Sequence, residues 1–401
     1  MTKTALLTKK YDKFFKNKNI HIIQDMKFSG QSSFFRSYSH HLLVDVPYSR
    51  TTYINLEKLK IEQLKIAPIL RQYVQTKRKS ICTQSLFLNN INLLIPAVNP
   101  MLLNGRIVSD TQSKKNIYDL NNFLLDIYSN LDFNMFIITT EKLTFSNEFY
   151  RKMNNRIDFT YFDTLLPSDY GISIDEFINQ TKNEIPNSRL SNFKKYILSK
   201  YKNTKRIELF PKLIRYIALN TDKKLSIQSL TEALQKYDKD VIKYNVKALM
   251  KILDDNFIVN KCKYYDINNK IIHETYFKYY FSNLSKLFLF LGNKEISKYE
   301  IYKSLIFEKL LINNLDFYIG KYYRYTKING VTVKIPHEVD FIFTYENKQY
   351  ALNLESEYTN KYNDLSKLIG YNSIYIKISD DEIKKDKNGI LNISLNKFLA
   401  K

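Results

Sequence analysis

Short apolar runs alternate with longer amphipathic ones over the first 165 residues. Runs at 19–24, 52–56, 85–88, 135–139 and 157–162 predict strands, and the segments between them read as helices. Residues 59–76 place Leu64, Ile69, Leu70 and Val74 near helical spacing, and 117–128 does the same with Leu120, Phe123, Leu124 and Ile127. Strands alternating with helices imply a parallel sheet covered on both faces. From 172 to 220 the pattern turns helical, with Phe177, Leu190, Phe193, Tyr196 and Ile197 inward, which suits a lid or connector. Helices at 213–219, 226–234 and 240–253, then a strand pair beginning at Phe257, follow the order of a winged helix-turn-helix, whose third helix can enter a major groove. A helix at 298–313 and strands at 338–345, 349–354 and 373–378 predict a further α/β unit.

Ligands of parallel sheets bind beyond the carboxyl ends of the strands. The segment Asp25-Met26-Lys27-Phe28-Ser29-Gly30-Gln31-Ser32-Ser33 lies at such an end. It has the outline of a phosphate-binding loop, G-x-x-x-x-G-K-[ST], in which backbone N–H groups wrap phosphates, a lysine neutralises them and a hydroxyl reaches magnesium. Asp25 stands for the first glycine and Gln31 for the lysine, so only Gly30 and Ser32 remain.

The 401 residues suffice for two or three domains. The formal net charge of +22 is the footprint of a chain that meets nucleic acid or another anionic surface. An AT-rich coding bias, with abundant lysine, asparagine, isoleucine and tyrosine, produces the same excess whatever the function. Lys239, Lys243 and Lys247 at i, i+4, i+8 on the third helix could contact DNA or form a solvated face. Cys82 and Cys262 belong to no C-x-x-C pair, so neither a disulfide framework nor a zinc site is signalled, and a reducing cytoplasm fits. No stretch approaches the ~18 apolar residues of a membrane span, and a secreted or membrane-spanning protein is not expected. Tyr322, Tyr323 and Tyr325 interleave with Lys321, Arg324 and Lys327 as in single-strand binders, although an amphipathic strand is the simpler reading.

Five pieces in order carry a resemblance. Ser29-Gly30-Gln31-Ser32-Ser33 is similar to S-G-K-S-T, and Tyr53-Ile54-Asn55-Leu56-Glu57 to a Y-I-N-L-E strand. The stretch 85–92 resembles Y-L-F-L-D-E-I-Q with Asn89-Asn90 in place of Asp-Glu, Phe136-Ile137-Ile138-Thr139 resembles a strand ending in a polar sensor, and Asn155-Arg156 a following G-R. Towards the C-terminus Glu338-Val339-Asp340-Phe341 resembles E-V-D-F, and 351–355 falls where I-E-V-K would follow. Nearly the whole chain thus resembles bacterial and archaeal AAA-type ATPases that carry a winged helix and a C-terminal domain related to PD-(D/E)xK nucleases. The resemblance implies an AAA-type P-loop NTPase-like core at 1–170, a helical lid at 171–211, a winged helix-turn-helix at 212–270 and a nuclease-like α/β domain at 271–401. It implies ATP or ADP held by Gly30, Gln31, Ser32 and Ser33, weak magnesium at Ser32, catalytic roles for Thr139 and Arg156, and a degenerate metal motif at Asn89 and Asn90. In the nuclease-like site Asp340 begins the metal site, Asn353 replaces the second acid and Glu355 the lysine. A register shifted by two makes Glu355 the second acid but sends Ser356 into the core. Lys303 and Lys309 stand where the family tends to have glutamates, and His337 is close in sequence to Asp340.

Phosphoryl transfer needs positive charge and magnesium on the phosphates, plus a carboxylate that orients water. Losing one preorganised electrostatic group costs ~10²- to 10³-fold in rate, and Gln31, Asn89 and Asn90 lose three. The expectation is a degenerate ATPase-like protein that binds nucleotide, nucleic acid or a protein partner, itself included, without efficient hydrolysis. An active ATPase with an unusual loop, a DNA-binding protein and a residual metal-dependent nuclease at Asp340 remain alternatives.

Overall fold

In the computed structural model the structure describes residues 3–12, 20–26, 29, 31–45, 51–55, 85–89, 102–103, 106–107, 124–125, 134–140, 142–143, 145, 147–153, 156–162, 165–185, 187–328, 331–356, 365, 368, 370–378 and 383–400. The predicted helix at 59–76 and most of that at 117–128 lie outside them. The chain divides into two compact units, one mainly of residues 1–163 and one mainly of 164–401.

The first unit contains α1 (Lys3–Asp12), β1 (Ile20–Gln24), α2 (Gln31–Asp45), β2 (Thr51–Asn55), β3 (Ser85–Asn89), a two-stranded piece of β4 (Leu102–Leu103) and β5 (Arg106–Ile107), β6 (Asn134–Thr139), α3 (Asn147–Met153) and β7 (Ile157–Tyr161). All five predicted strands form, within a residue of their expected bounds, and pair in parallel in the order β2-β3-β6-β1-β7. Burial on both faces explains why β1 does not alternate apolar with exposed polar residues, since Ile20, Ile22 and Ile23 are all buried, together with His21. Helix α2 places Phe34, Phe35 and Tyr38 against Tyr11 of α1 and Phe162 just past β7, with ring centroids 4.8–6.4 Å apart. The Tyr11 hydroxyl donates to the Phe162 carbonyl at 3.1 Å, fixing the aromatic cluster at the carboxyl end of β7.

The second unit begins with α4 (Pro167–Tyr170), α5 (Ile174–Asn183), α6 (Asn187–Lys200), α7 (Phe210–Leu219), β8 (Leu225–Ser226), α8 (Ile227–Gln235), α9 (Lys243–Asp255), β9 (Val259–Asp266) and β10 (Ile271–Phe281). It continues with α10 (Leu284–Leu291), α11 (Lys298–Ile312), β11 (Phe317–Ile328), β12 (Val331–Tyr345), β13 (Lys348–Leu354), β14 (Asn372–Lys377), β15 (Lys384–Lys385), β16 (Leu391–Ser394) and α12 (Leu395–Ala400). Helix starts are marked in the sequence. Ser226 accepts from the Ser229 N–H, and Ser297 from Glu300 with the Glu300 carboxylate reaching back to the Ser297 N–H. Helix α9 buries Val246, Leu249, Ile252 and Leu253, which leaves Lys243, Lys247 and Lys251 exposed at helical spacing.

Nine strands share one sheet in the order β15-β16-β14-β13-β12-β11-β9-β10-β8. A short parallel pairing, Ile319–Lys321 against Tyr264–Asp266, joins the strand pair after α9 to the C-terminal strands. The expected boundary at 270/271 therefore falls inside the turn of the β9–β10 hairpin, and backbone hydrogen bonds cross it. No helix among the described residues is long and apolar enough to cross a membrane.

Candidate functional site

Two polar centres correspond to the two motifs, one in each unit. In the first, β1 and β6 end side by side, with Gln24 paired to Thr139, and α2 starts at Gln31 after the loop. Gln31 is buried, and its Nε2 donates to the Thr139 carbonyl at 3.0 Å and to the Asp25 carbonyl at 3.5 Å. The Asp25 N–H also donates to the Thr139 carbonyl, at 3.2 Å, and Asp25 Oδ1 accepts from the Met26 N–H at 2.7 Å. The amide that stands in the lysine position thus ties the start of α2 to the end of β6. Its remaining polar atom, Oε1, is buried without a hydrogen-bond partner among the described residues. A phosphate brings only acceptors, so it cannot satisfy that atom.

Of the other residues expected here, Thr139 is buried at the strand end, and Ser33 is exposed on α2. Gly30 and Asn90 lie outside the described residues, as do the side chains of Ser32 and Asn89. Arg156 lies apart from these residues. Its carbonyl accepts from the Ile20 N–H at 2.9 Å, which puts it at the amino end of β1, the edge opposite Gln31 and Thr139. Five residues of strand, roughly 16 Å, separate the two.

The second centre is built on β12 and β13. Asp340 and Asn353 are both buried, the Asp340 N–H donates to Asn353 Oδ1 at 2.8 Å, and the Leu354 N–H donates to Asp340 Oδ2 at 2.8 Å. The ammonium of Lys303, on α11, sits 2.7 Å from Asp340 Oδ1 and 2.7 Å from Asp222 Oδ2. Lys278, on β10, continues the line at 2.9 Å from Asp222 Oδ1 and 2.6 Å from Glu338 Oε1. The hydroxyls of Tyr280 and Tyr264 donate to Asp222 at 2.6 Å and to Glu338 at 3.1 Å. Charges therefore alternate along Asp340, Lys303, Asp222, Lys278 and Glu338, with Lys303 2 % exposed.

Burial disfavours the charged form of Lys303, but Asp222 and Asp340 outweigh it and hold its ammonium well above the ordinary value. Burial likewise opposes ionisation of Asp222, and Lys278 and Lys303 overcome it, keeping that carboxyl below the usual range. Desolvation pushes the buried Cys262 thiol beside this line up to about 12, so it is a packed thiol rather than a nucleophile.

A divalent-metal site needs converging oxygen ligands, usually two or more carboxylates. Here the Asp340 carboxylate is engaged by the Lys303 ammonium and the Leu354 N–H, and the neighbouring Asn353 offers a neutral carboxamide where a second carboxylate would stand. The expected third member, Glu355, accepts from the Ile378 N–H at 2.9 Å. His337 stacks on Tyr322, with centroids 5.1 Å apart. No cluster of His, Cys, Asp or Glu among the described residues could hold a metal. Asp222 and Lys278 are the members that sequence reasoning missed. They lie far from Asp340 in the chain, in a helix-end loop and in the continuously buried end of β10, and carry no motif.

The model of a family described as a domain of unknown function, DUF8612, matches residues 174–295, which include Asp222 and Lys278 but neither Gln31 nor Asp340. No curated protein matches the chain. Among solved structures, a DNA replication initiation factor is 11% identical over 61% of this chain and 91% of its own, with a TM-score of 0.28. The replication initiator DnaA bound to AMPPCP and single-stranded DNA is 10% identical over 62% and 87%, also at 0.28. Protein VC1899 from Vibrio cholerae is 12% identical over 100% and 94%, at 0.19. All three scores lie below the level at which this measure indicates a shared fold.

Proposed function

We propose that this chain is an AAA-type, ATPase-like and nuclease-like protein that acts by binding and does not turn over either substrate. The observation that carries the reading is the Lys303 ammonium, held at 2.7 Å by both Asp340 and Asp222 in the place where a nuclease of this type binds its metal. A resident cation bonded that closely repels a divalent ion and takes the oxygens the ion would need. Gln31 supports the same conclusion for the loop of the first unit, because it is uncharged and engaged with backbone carbonyls.

Binding to duplex DNA is assigned to α9, the third helix of the α7-β8-α8-α9-β9-β10 order, where Lys243, Lys247 and Lys251 are exposed on one face. In filter-binding or anisotropy measurements, Lys243→Ala with Lys247→Ala should weaken duplex binding and flatten its salt dependence by about two in slope. Purified protein should release no more phosphate from ATP than the Gln31→Ala, Ser32→Ala variant does. Hydrolysis that this variant loses would overturn the reading for the first unit.

A further inference from the structure

Beyond Tyr323, β11 and β12 leave the nine-stranded sheet as a two-stranded ribbon. Strand β9 pairs with β11 only over Ile319–Lys321, β13 pairs with β12 only over Phe341–Tyr345, and β11 and β12 continue pairing to Ile328 and Val331. Five residue pairs, from Arg324↔Ile335 to Ile328↔Val331, therefore have no third strand among the described residues. They reach roughly 15 Å. Residues 321–337 carry four cations, Lys321, Arg324, Lys327 and Lys334, and no carboxylate.

The register separates the ribbon's faces. Lys321, Tyr323, Tyr325 and Lys327 share one face with Lys334, which is paired opposite Tyr325. On that face ammonium and aromatic groups alternate. Lys224 lies 3.6 Å from the Tyr276 ring centroid, Lys321 lies 5.7 Å from Tyr276 and 4.9 Å from Tyr323, and Lys334 lies 3.7 Å from Tyr323. The series ends at Tyr325, 67% exposed, with Lys327 also exposed beside it. Two carboxylates flank Lys321 in register, Glu338 on β12 and Asp266 on β9; Glu338 is bound by Lys278 and Tyr264 and Asp266 by Asn269, so neither neutralises the distal face.

We propose that this face of the ribbon binds single-stranded nucleic acid, with Lys327 and Lys334 on phosphates and Tyr325 as a stacking platform for a base. A single strand presents a regular series of phosphates and unstacked bases, and alternating cations and rings match it, whereas paired bases offer no free ring face. An anionic protein surface would be drawn by the lysines but gives no use to an exposed tyrosine ring at the end of the series. The proposal is independent of α9, which lies elsewhere in the chain and is assigned to duplex.

The test uses the full chain and a labelled oligothymidylate of about 15 nucleotides, long enough for one binding site, in a fluorescence anisotropy titration. Tyr325→Ala should weaken binding about tenfold, with Tyr325→Phe close to wild type because the ring is kept. Lys327→Ala with Lys334→Ala should lower the salt slope by about 1.4, from two lost phosphate contacts. Lys384→Ala with Lys385→Ala, exposed on β15 at the edge of the sheet, should leave oligothymidylate binding unchanged. All of these side chains are exposed, so circular dichroism should be unaltered. Unchanged affinity in both ribbon variants overturns the proposal. So does loss of oligothymidylate binding in the β15 variant alone, or self-association of the protein that Tyr325→Ala abolishes while oligothymidylate binding is absent.

Discussion

At the scale of single residues, Lys303 sets the chemistry of the second unit. Its ammonium has two carboxylate partners at 2.7 Å and is shielded from water, so its removal leaves Asp340 and Asp222 short of charge in the interior. Breaking a buried ion pair from one side costs about 3–5 kcal/mol. Lys303→Met should therefore lower denaturant stability by that amount, and adding Asp340→Asn should cost less than the sum of the two single changes. Additive costs would show that the two groups are not coupled. The pH dependence follows from the shifts. The folded value of Asp222 lies below its ordinary 3.8, so its contribution is present above that pH and is lost as pH falls through the folded value. That of Lys303 lies above its ordinary 10.5, so its contribution is intact below that pH and is lost only as pH rises through the folded value. Urea midpoints should accordingly hold level between the two and fall on acidification, and Asp222→Asn should remove part of the acid fall. An acid fall identical in Asp222→Asn would exclude this carboxylate as its source.

Among elements, the β9–β11 contact is the narrowest structural commitment, because three residue pairs make the strands after α9 and the C-terminal strands one sheet. Gly320 sits in the middle of it. A Cβ there would lie 2.9 Å from Val339 Cβ and 3.0 Å from Ile342 Cγ2, both in the core of this sheet. Gly320→Ala should destabilise the protein by about 1–3 kcal/mol in a thermal or chemical melt, as overpacking does. A neutral change would mean that β11 can move off β12 freely. The individual strands and helices were legible, since apolar runs in 19–24 and 157–162 and the 3.6-residue pattern of α9 read directly as structure. The parallel pairing was not, because its partners are separated by two helices and no local pattern encodes it. Asn329-Gly330 between alternating runs is the signal that marks the β11–β12 hairpin. Arg156 could have been placed too, because a residue that precedes a parallel strand lies at the sheet's amino edge, away from a loop that follows one.

For the molecule as a whole, both polar centres are engaged from within the protein, Gln31 Nε2 on backbone carbonyls and Lys303 on carboxylates. The sequence showed Asp340, Asn353 and the lysine on α11, but the salt-bridged line needed Asp222 and Lys278, which only the fold brings in. The proposed binding role draws on the +22 charge and the exposed lysines. Restoring carboxylates should reverse the state of the second centre. Lys303→Glu with Asn353→Asp should gain a manganese-dependent rise in melting temperature that wild type lacks, and no rise would show that the surrounding geometry, not the ammonium, excludes metal. The most direct test is nicking of supercoiled DNA by wild type and by Asp340→Ala, in magnesium and in manganese. Indistinguishable, background-level nicking by both proteins is the predicted result, and metal-dependent cutting by wild type that Asp340→Ala abolishes would contradict it.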